Sequence, residues 1–257
     1  MKEGQKLWNR EELILAINLY WKLPFGKIHQ RNQEVIKLAQ LIGRSPSSVV
    51  YKLGNFGSFD PTLKNRGVGG LKNASKLDKT IWIEFYNDLE NSSYESEVLR
   101  AKLEKTTVEQ MNNLSEDELP KAGIVRDRIV KVRVNQAFFR KSILASYGNT
   151  CCISGLNHPD FLVAGHIVPW SVDEKNRLNP RNGICINPLH DRAFELGYIT
   201  IDLDYRIRIS PKINDLIKND DQLGFFKKHD RTPMILPGRY SPDPEFLKYH
   251  MEERFKG

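Results

Sequence analysis

The chain has 257 residues, 28% of them charged, and a formal net charge of +7. That length can bury one large core or two modest ones, and the basic balance favours a polyanionic partner. The longest apolar runs are far short of a membrane span, three cysteines make no disulfide framework, and residues 1–5 lead into no signal-peptide core, so a reducing cytoplasm is the expected compartment.

The N-terminal region reads as small amphipathic helices. Asn9 precedes Arg10-Glu11-Glu12, a helix start in which Asn9 caps the Glu12 amide and the Glu12 carboxylate reaches back. Leu13, Ala16, Ile17 and Tyr20 form an apolar stripe that ends at Pro24-Phe25-Gly26, with Trp8 and Leu13 set to staple the first turn. A second stripe at Val35, Leu38, Ala39 and Ile42 stops at Gly43. Ser45-Pro46 then opens a helix whose Val49, Val50 and Leu53 face inward. Helix, glycine turn and capped helix outline a helix-turn-helix. On its last helix Ser47, Ser48, Tyr51 and Lys52 are expected to point outward, as DNA-contacting residues or as an ordinary solvated face.

Residues 56–75, including Gly67-Val68-Gly69-Gly70, lack the Gly-Lys-Ser/Thr of a phosphate loop and read as a connector or a loop beside DNA. Helical periodicity returns over 78–110. Turn residues from Asn112-Asn113 to Pro120 and Gly123 divide the chain into a helical domain (1–110), a linker (111–130) and a second domain (131–257). Past the linker's turn residues, Arg126, Arg128, Lys131, Arg133, Arg140 and Lys141 suit a surface that tracks phosphates, Arg133 and Arg140 foremost.

Chemistry concentrates further on. A helix over 136–146 leads to Cys151-Cys152-Ile153-Ser154-Gly155, and 161–164 reads as a strand with His166 at its end. Asn182 stands 16 residues beyond His166, and His190 another 8 beyond that. Two histidines and an asparagine at these separations can converge on one divalent ion, a grouping that phosphodiester hydrolysis needs. His166 is the candidate base, and Asn182 would bond its ring or backbone and fix the tautomer. Asn187-Pro188 starts a helix that carries His190 on its first turn, as a neutral imidazole ligand. Residues 198–202 and 206–209 alternate as a hairpin, Met234-Ile235-Leu236-Pro237 reads as a short strand, and a closing helix spans 244–255.

The run Ala-Gly-His-Ile-Val-Pro-Trp-Ser over 164–171, with Asn182-Gly183 and Asn187-Pro188-Leu189-His190-Asp191, resembles the HNH (ββα-metal) nucleases, especially their restriction-endonuclease-like branch. The resemblance is specific across 133–210. It implies an α+β protein: an N-terminal helical, helix-turn-helix-like recognition domain and a C-terminal ββα-metal nuclease domain. It also implies a DNA endonuclease that uses one Mg²⁺ or Mn²⁺ per chain and acts as a homodimer on double-stranded DNA. Restriction of foreign DNA is the expected role, with a DNA-binding regulator on a degenerate HNH fold, or a homing or repair nickase, as alternatives. Some family members hold a structural zinc on two Cys-x-x-Cys pairs; the four thiolates are absent here, and no structural zinc is expected.

Many HNH sites carry a metal-binding Asp or His just before the base, and Gly165 stands there. The resemblance offers Glu195 as the second ligand beside His190, although position i+5 lies about 140° round a helix. Asn182, Asn187, Asp191 or His166 itself remain open as replacements.

Overall fold

The computed structural model describes residues 6–257 apart from positions 66, 68, 72, 116 and 118. The opening residues 1–5, Val68 of the glycine-rich connector, and Glu116 and Glu118 of the expected linker therefore lie outside the described residues. Contacts divide the chain into two units, Met1–Phe138 and Phe139–Gly257.

In the first unit, α1 (Arg10–Lys22) opens with the expected capping box. The Glu12 amide donates to Asn9 Oδ1 at 2.8 Å, and the Asn9 amide to Glu12 Oε2 at 3.1 Å. The helix is buried all round over 12–21, not along one stripe. A helix with no wet face must be surrounded, and α1 packs against α2 (Gln33–Leu41), α3 (Pro46–Gly57), α5 (Lys76–Asn87) and α6 (Leu89–Leu103). Its Trp21 joins a ring cluster with Trp82, Phe85 and Phe138. Glu12 can be buried there because Arg44 and Lys6 neutralise it. Trp8 lies under the Arg44 guanidinium, 4.2 Å from ring centroid to Cζ.

The α3 helix starts at the Ser45 cap and buries Val49, Leu53 and Phe56. One expectation fails here. Lys52 is buried, with Nζ 2.8 and 3.0 Å from the two oxygens of a fully buried Asp78 on α5. Positions 49, 52, 53 and 56 share one helical face, and a buried carboxylate demands a cation. Tyr51 (66% exposed) and Ser47 do face solvent, and Ser48 is half-buried.

Short helices α4 (Pro61–Asn65) and α7 (Val108–Met111) flank this bundle in sequence, and α8 runs from Ile124 to Ser146. The expected linker over 111–130 therefore overlaps a helix, and the division between units falls inside α8. Val130 and Val134 pack with Ala101 and Val108, and Ser93 Oγ donates to Asn135 Oδ1 at 3.0 Å. These contacts tie the first part of α8 to the first unit.

The second unit begins with the end of α8, which closes through Gly148 and Asn149, both at positive φ. Strand β1 (Val163–His166) pairs antiparallel with β2 (Gly183–Ile186), His166 opposite Gly183, and α9 (Pro188–Glu195) follows β2 directly. Cys152 and Cys185 are buried where the Cys152 amide donates to the Cys185 carbonyl at 2.7 Å. A hairpin of β3 (Ile199–Ile201) and β4 (Ile207–Ile209) turns through Tyr205 at φ +57°. Helices α10 (Ile213–Leu216), α11 (Asp220–Lys227) and α12 (Pro244–Tyr249) complete the unit. The segment 234–237 forms no strand; only an isolated bridge joins Arg206 to Pro233. The closing helix changes character after Tyr249, continuing as a π turn, His250–Arg254. The protein is α+β, and no helix among the described residues is long and apolar enough to cross a membrane.

Candidate active site

His166 ends β1 on a surface built to hold its ring. Phe139 of α8 stacks on it at 4.1 Å and 10°, and Trp170 meets it edge-on at 5.4 Å. Gly183, across the ladder, makes this possible: a Cβ there would collide with Phe139 and Ile143. Imidazole Nε2 lies 2.9 Å from the Arg177 carbonyl. A carbonyl only accepts, so Nε2 carries the hydrogen and Nδ1 keeps a lone pair. Burial lowers the pKa of His166 below its ordinary value, while the Arg177 carbonyl opposes that shift. The ring is thus neutral at pH 7 and ready to accept a proton.

Asn182, fully buried, does not touch the ring. Its Oδ1 accepts from the Val168 amide at 2.8 Å, and its Nδ2 donates to the carbonyls of Val168 (3.1 Å) and Asn176 (3.2 Å). Its own carbonyl accepts from the Ile167 amide at 3.0 Å. These bonds clamp the two residues after His166 to the turn before β2. Asn182 thus bonds neither the ring nor the backbone of His166 itself, but the backbone of the two residues that follow it.

The α9 helix starts at the Asn187 cap with Pro188 in its first turn. Its two candidate ligands turn opposite ways. His190 is fully buried, its Nδ1 2.8 Å from Asn187 Nδ2, with its ring against Phe225, Phe226 and His229. Its pKa is pushed down to about 4, by burial first and then by His229. It is not among the residues that line the cleft containing His166, and its buried Nε2 has no hydrogen-bond partner among the described residues. Asp191 and Glu195 do line that cleft. They stand four apart and share a helical face, whereas His190 and Glu195, five apart, do not.

Asp191 also stands beside Gly165. A Cβ on Gly165 would collide with Asp191 Oδ1. A carboxylate from α9 therefore lies beside the β1 position where many HNH sites carry their acid. Burial, and secondarily the charge of Glu195, raise the Asp191 carboxyl to about 6. Glu195 is exposed and pairs with Arg192 at 2.7 Å.

The cleft holds about 290 Å³ and is lined by His166, Trp170, Asp191, Glu195, His250 and Arg254, among others. Among the described residues no three His, Cys, Asp or Glu side chains form a ready-made metal cage. Two carboxylates on one face still fit Mg²⁺, which commonly takes one or two carboxylates and completes its shell with water and substrate phosphate. Burial is the first cause of the raised Asp191 pKa and Glu195 the second, and a bound cation would offset both.

Of the remaining candidates, Arg133 is exposed on α8. Arg140 is half-buried and donates through Nη2 to the Pro159 carbonyl at 3.0 Å, so it braces the turn before β1. The roles of Phe139, Trp170 and Arg177 in holding His166 carried no readable signal in the sequence. The Asp191–Glu195 spacing did.

An antiparallel pair leading straight into a helix, with a neutral histidine at the end of the first strand and carboxylates on the helix, has the ββα form of HNH nucleases. Residues 151–202 match the family model described as HNH endonuclease, a span that holds β1, β2, α9 and every cleft residue named above except His250 and Arg254. No curated protein matches the chain.

Proposed function

We propose that the protein is a metal-dependent DNA endonuclease in which His166 is the general base, Asn182 positions it, and Asp191 with Glu195 hold one Mg²⁺ or Mn²⁺. The supporting observation is the His166 residue: its Nε2 is tied to the Arg177 carbonyl, which leaves the lone pair on Nδ1, and it lines a cleft that also holds two carboxylates. Nδ1 takes a proton from water as its oxygen attacks phosphorus, and the bond from phosphorus to the 3′ oxygen breaks. The bound cation would neutralise charge on the phosphate and the departing oxygen. Trp170 and Phe139 hold the imidazole plane against rotation during the transfer.

Restriction of foreign DNA is the biological reading we favour, with the first unit as the recognition module. An exposed Tyr51 and Ser47 at the end of a helix-turn-helix-like arrangement, and the charge of +7, support it. With one site per chain, cutting both strands of a palindrome calls for a symmetric dimer. The degenerate-regulator alternative drew its support from Gly165, and the Asp191 carboxylate beside that glycine weakens it.

Purified protein with Mg²⁺ or Mn²⁺ is expected to nick or cut plasmid DNA. His166→Ala is expected to lower the rate by about a thousandfold while leaving the circular dichroism spectrum unchanged. Full activity in that variant would remove the base assignment, and metal-independent binding without cutting would favour the regulator.

A further inference from the structure

Among the described residues, one Lys or Arg side chain lines the cleft, and it comes from beyond the span that matches the HNH model. Among the cleft-lining residues, Asp191 and Glu195 bring negative charge, and burial lowers the pKa of both His166 and His250, the latter to about 4. Arg254 alone brings fixed positive charge. We propose that Arg254 grips the non-bridging oxygens of the scissile phosphate, making it a catalytic residue of the cleavage reaction. This rests on the endonuclease reading above.

The C-terminal segment is built to hold that guanidinium in place. Arg254 ends the π turn His250–Arg254, a form of helix often found at functional sites. His250 anchors the start of the turn. Its Nδ1 lies 2.8 Å from Thr200 Oγ1 and its Nε2 3.1 Å from the Phe194 carbonyl, and its ring stacks on Phe194 at 3.7 Å. Beyond Arg254 the Lys256 amide donates to the Gly197 carbonyl at 2.9 Å, and Ser210 Oγ donates to the Lys256 carbonyl. Gly197 is required at this junction: φ is +78°, and a Cβ would collide with the Arg254 carbonyl. The turn is thereby fastened at both ends to the elements that carry the carboxylates.

The guanidinium itself makes one bond, Nη2 to the Glu195 carbonyl at 2.9 Å. That bond caps the end of α9, and a cap alone would explain an arginine here. It uses one of five donors, however, and the side chain is exposed on the cleft. A planar fork with one nitrogen fixed, on an exposed side chain that lines the cleft, suits two phosphate oxygens, as arginine commonly provides.

The test is single-turnover cleavage of a DNA duplex with saturating Mg²⁺ or Mn²⁺ by the full chain and its Arg254→Gln, Arg254→Lys and Arg254→Ala variants. Glutamine keeps an amide donor for the Glu195 carbonyl but removes the charge. We expect Arg254→Gln to lose about a hundredfold in rate, with little change in melting temperature or in the DNA concentration at half-maximal rate. Arg254→Lys should recover part of the loss, and guanidinium ion added to Arg254→Ala should restore part of it. Arg254→Gln cutting at the wild-type rate would overturn the proposal. A loss that tracks melting temperature and resists guanidinium would also overturn it, leaving only the cap. If the wild type itself fails to cut, the endonuclease reading falls with it. A wild type that cuts and depends on His166, beside a fully active Arg254→Gln, would sink this proposal alone.

Discussion

On one face of α9, Asp191 and Glu195 line an open cleft; on the other, His190 is buried against Phe225, Phe226 and His229. Both faces carry groups whose pKa is shifted by desolvation, in opposite directions: the acid rises to about 6 and the imidazole falls to about 4. The same cause has different consequences. A half-buried acid beside a second acid gains from a cation that replaces its lost water. A buried imidazole with one nitrogen bonded to Asn187 is kept neutral, its other nitrogen having no hydrogen-bond partner among the described residues. A perturbed pKa therefore separates site from scaffold only after the geometry shows which group faces solvent.

The sharpest way to break this contrast is to compare Asp191→Asn with His190→Ala. Asp191→Asn is expected to fold normally, to weaken Mn²⁺ binding by roughly tenfold or more, and to cut DNA far more slowly. His190→Ala is expected to lower stability by about 2–3 kcal/mol, since it opens a cavity and removes one partner of the Asn187 amide. Mn²⁺ affinity should survive in whatever fraction remains folded. Calorimetric titration of Mn²⁺ checks both, and loss of binding in the His190 variant alone would reverse the assignment.

Acidification tests the same contrast through stability. His190 and His250 have folded pKa values near 4 against an ordinary 6.5, so the unfolded chain binds more protons between those limits. Stability is then present above pH 6.5 and is lost as pH falls towards 4, by up to about 3 kcal/mol for each ring. Asp191 acts with the opposite sign: its raised pKa favours the folded state while protonated, a contribution lost as pH rises from about 4 to 6. Two imidazoles outweigh one partly exposed carboxyl, so urea midpoints should fall on acidification across this window. Cleavage should also rise with pH through about 6 as Asp191 ionises. A midpoint flat between pH 4 and 6.5 would contradict the burial of both rings.

The smallest effect expected is from Gly165→Ala. The new methyl group would lie closer to Asp191 Oδ1 than a real Cβ contact allows, so the carboxylate must swing away. A loss of severalfold in Mn²⁺ affinity, with the melting temperature nearly unchanged, would place the Asp191 carboxylate in the ligand shell; unchanged affinity would show that it has room to spare.

Much of this was legible along the chain because the signals are local. The Asn9–Glu12 capping box, the Ser45-Pro46 and Asn187-Pro188 helix starts, the strand ending in His166 and the hairpin over 199–209 each depend on residues within a turn or two of one another. The charge of +7 and the 164–171 motif likewise needed no coordinates to suggest a nuclease. What the tertiary structure decided was which way side chains face and what lies opposite them. Lys52 turned inward because Asp78, 26 residues away, required a cation, and His190 turned from the cleft because α11 supplies rings to cover it. Gly165 gained a neighbouring carboxylate from α9, and Arg254 reached the cleft from the far end of the chain. Sequence spacing fixes directions within a single helix or strand, whereas burial, counter-charge and ligand geometry depend on elements that only folding brings together.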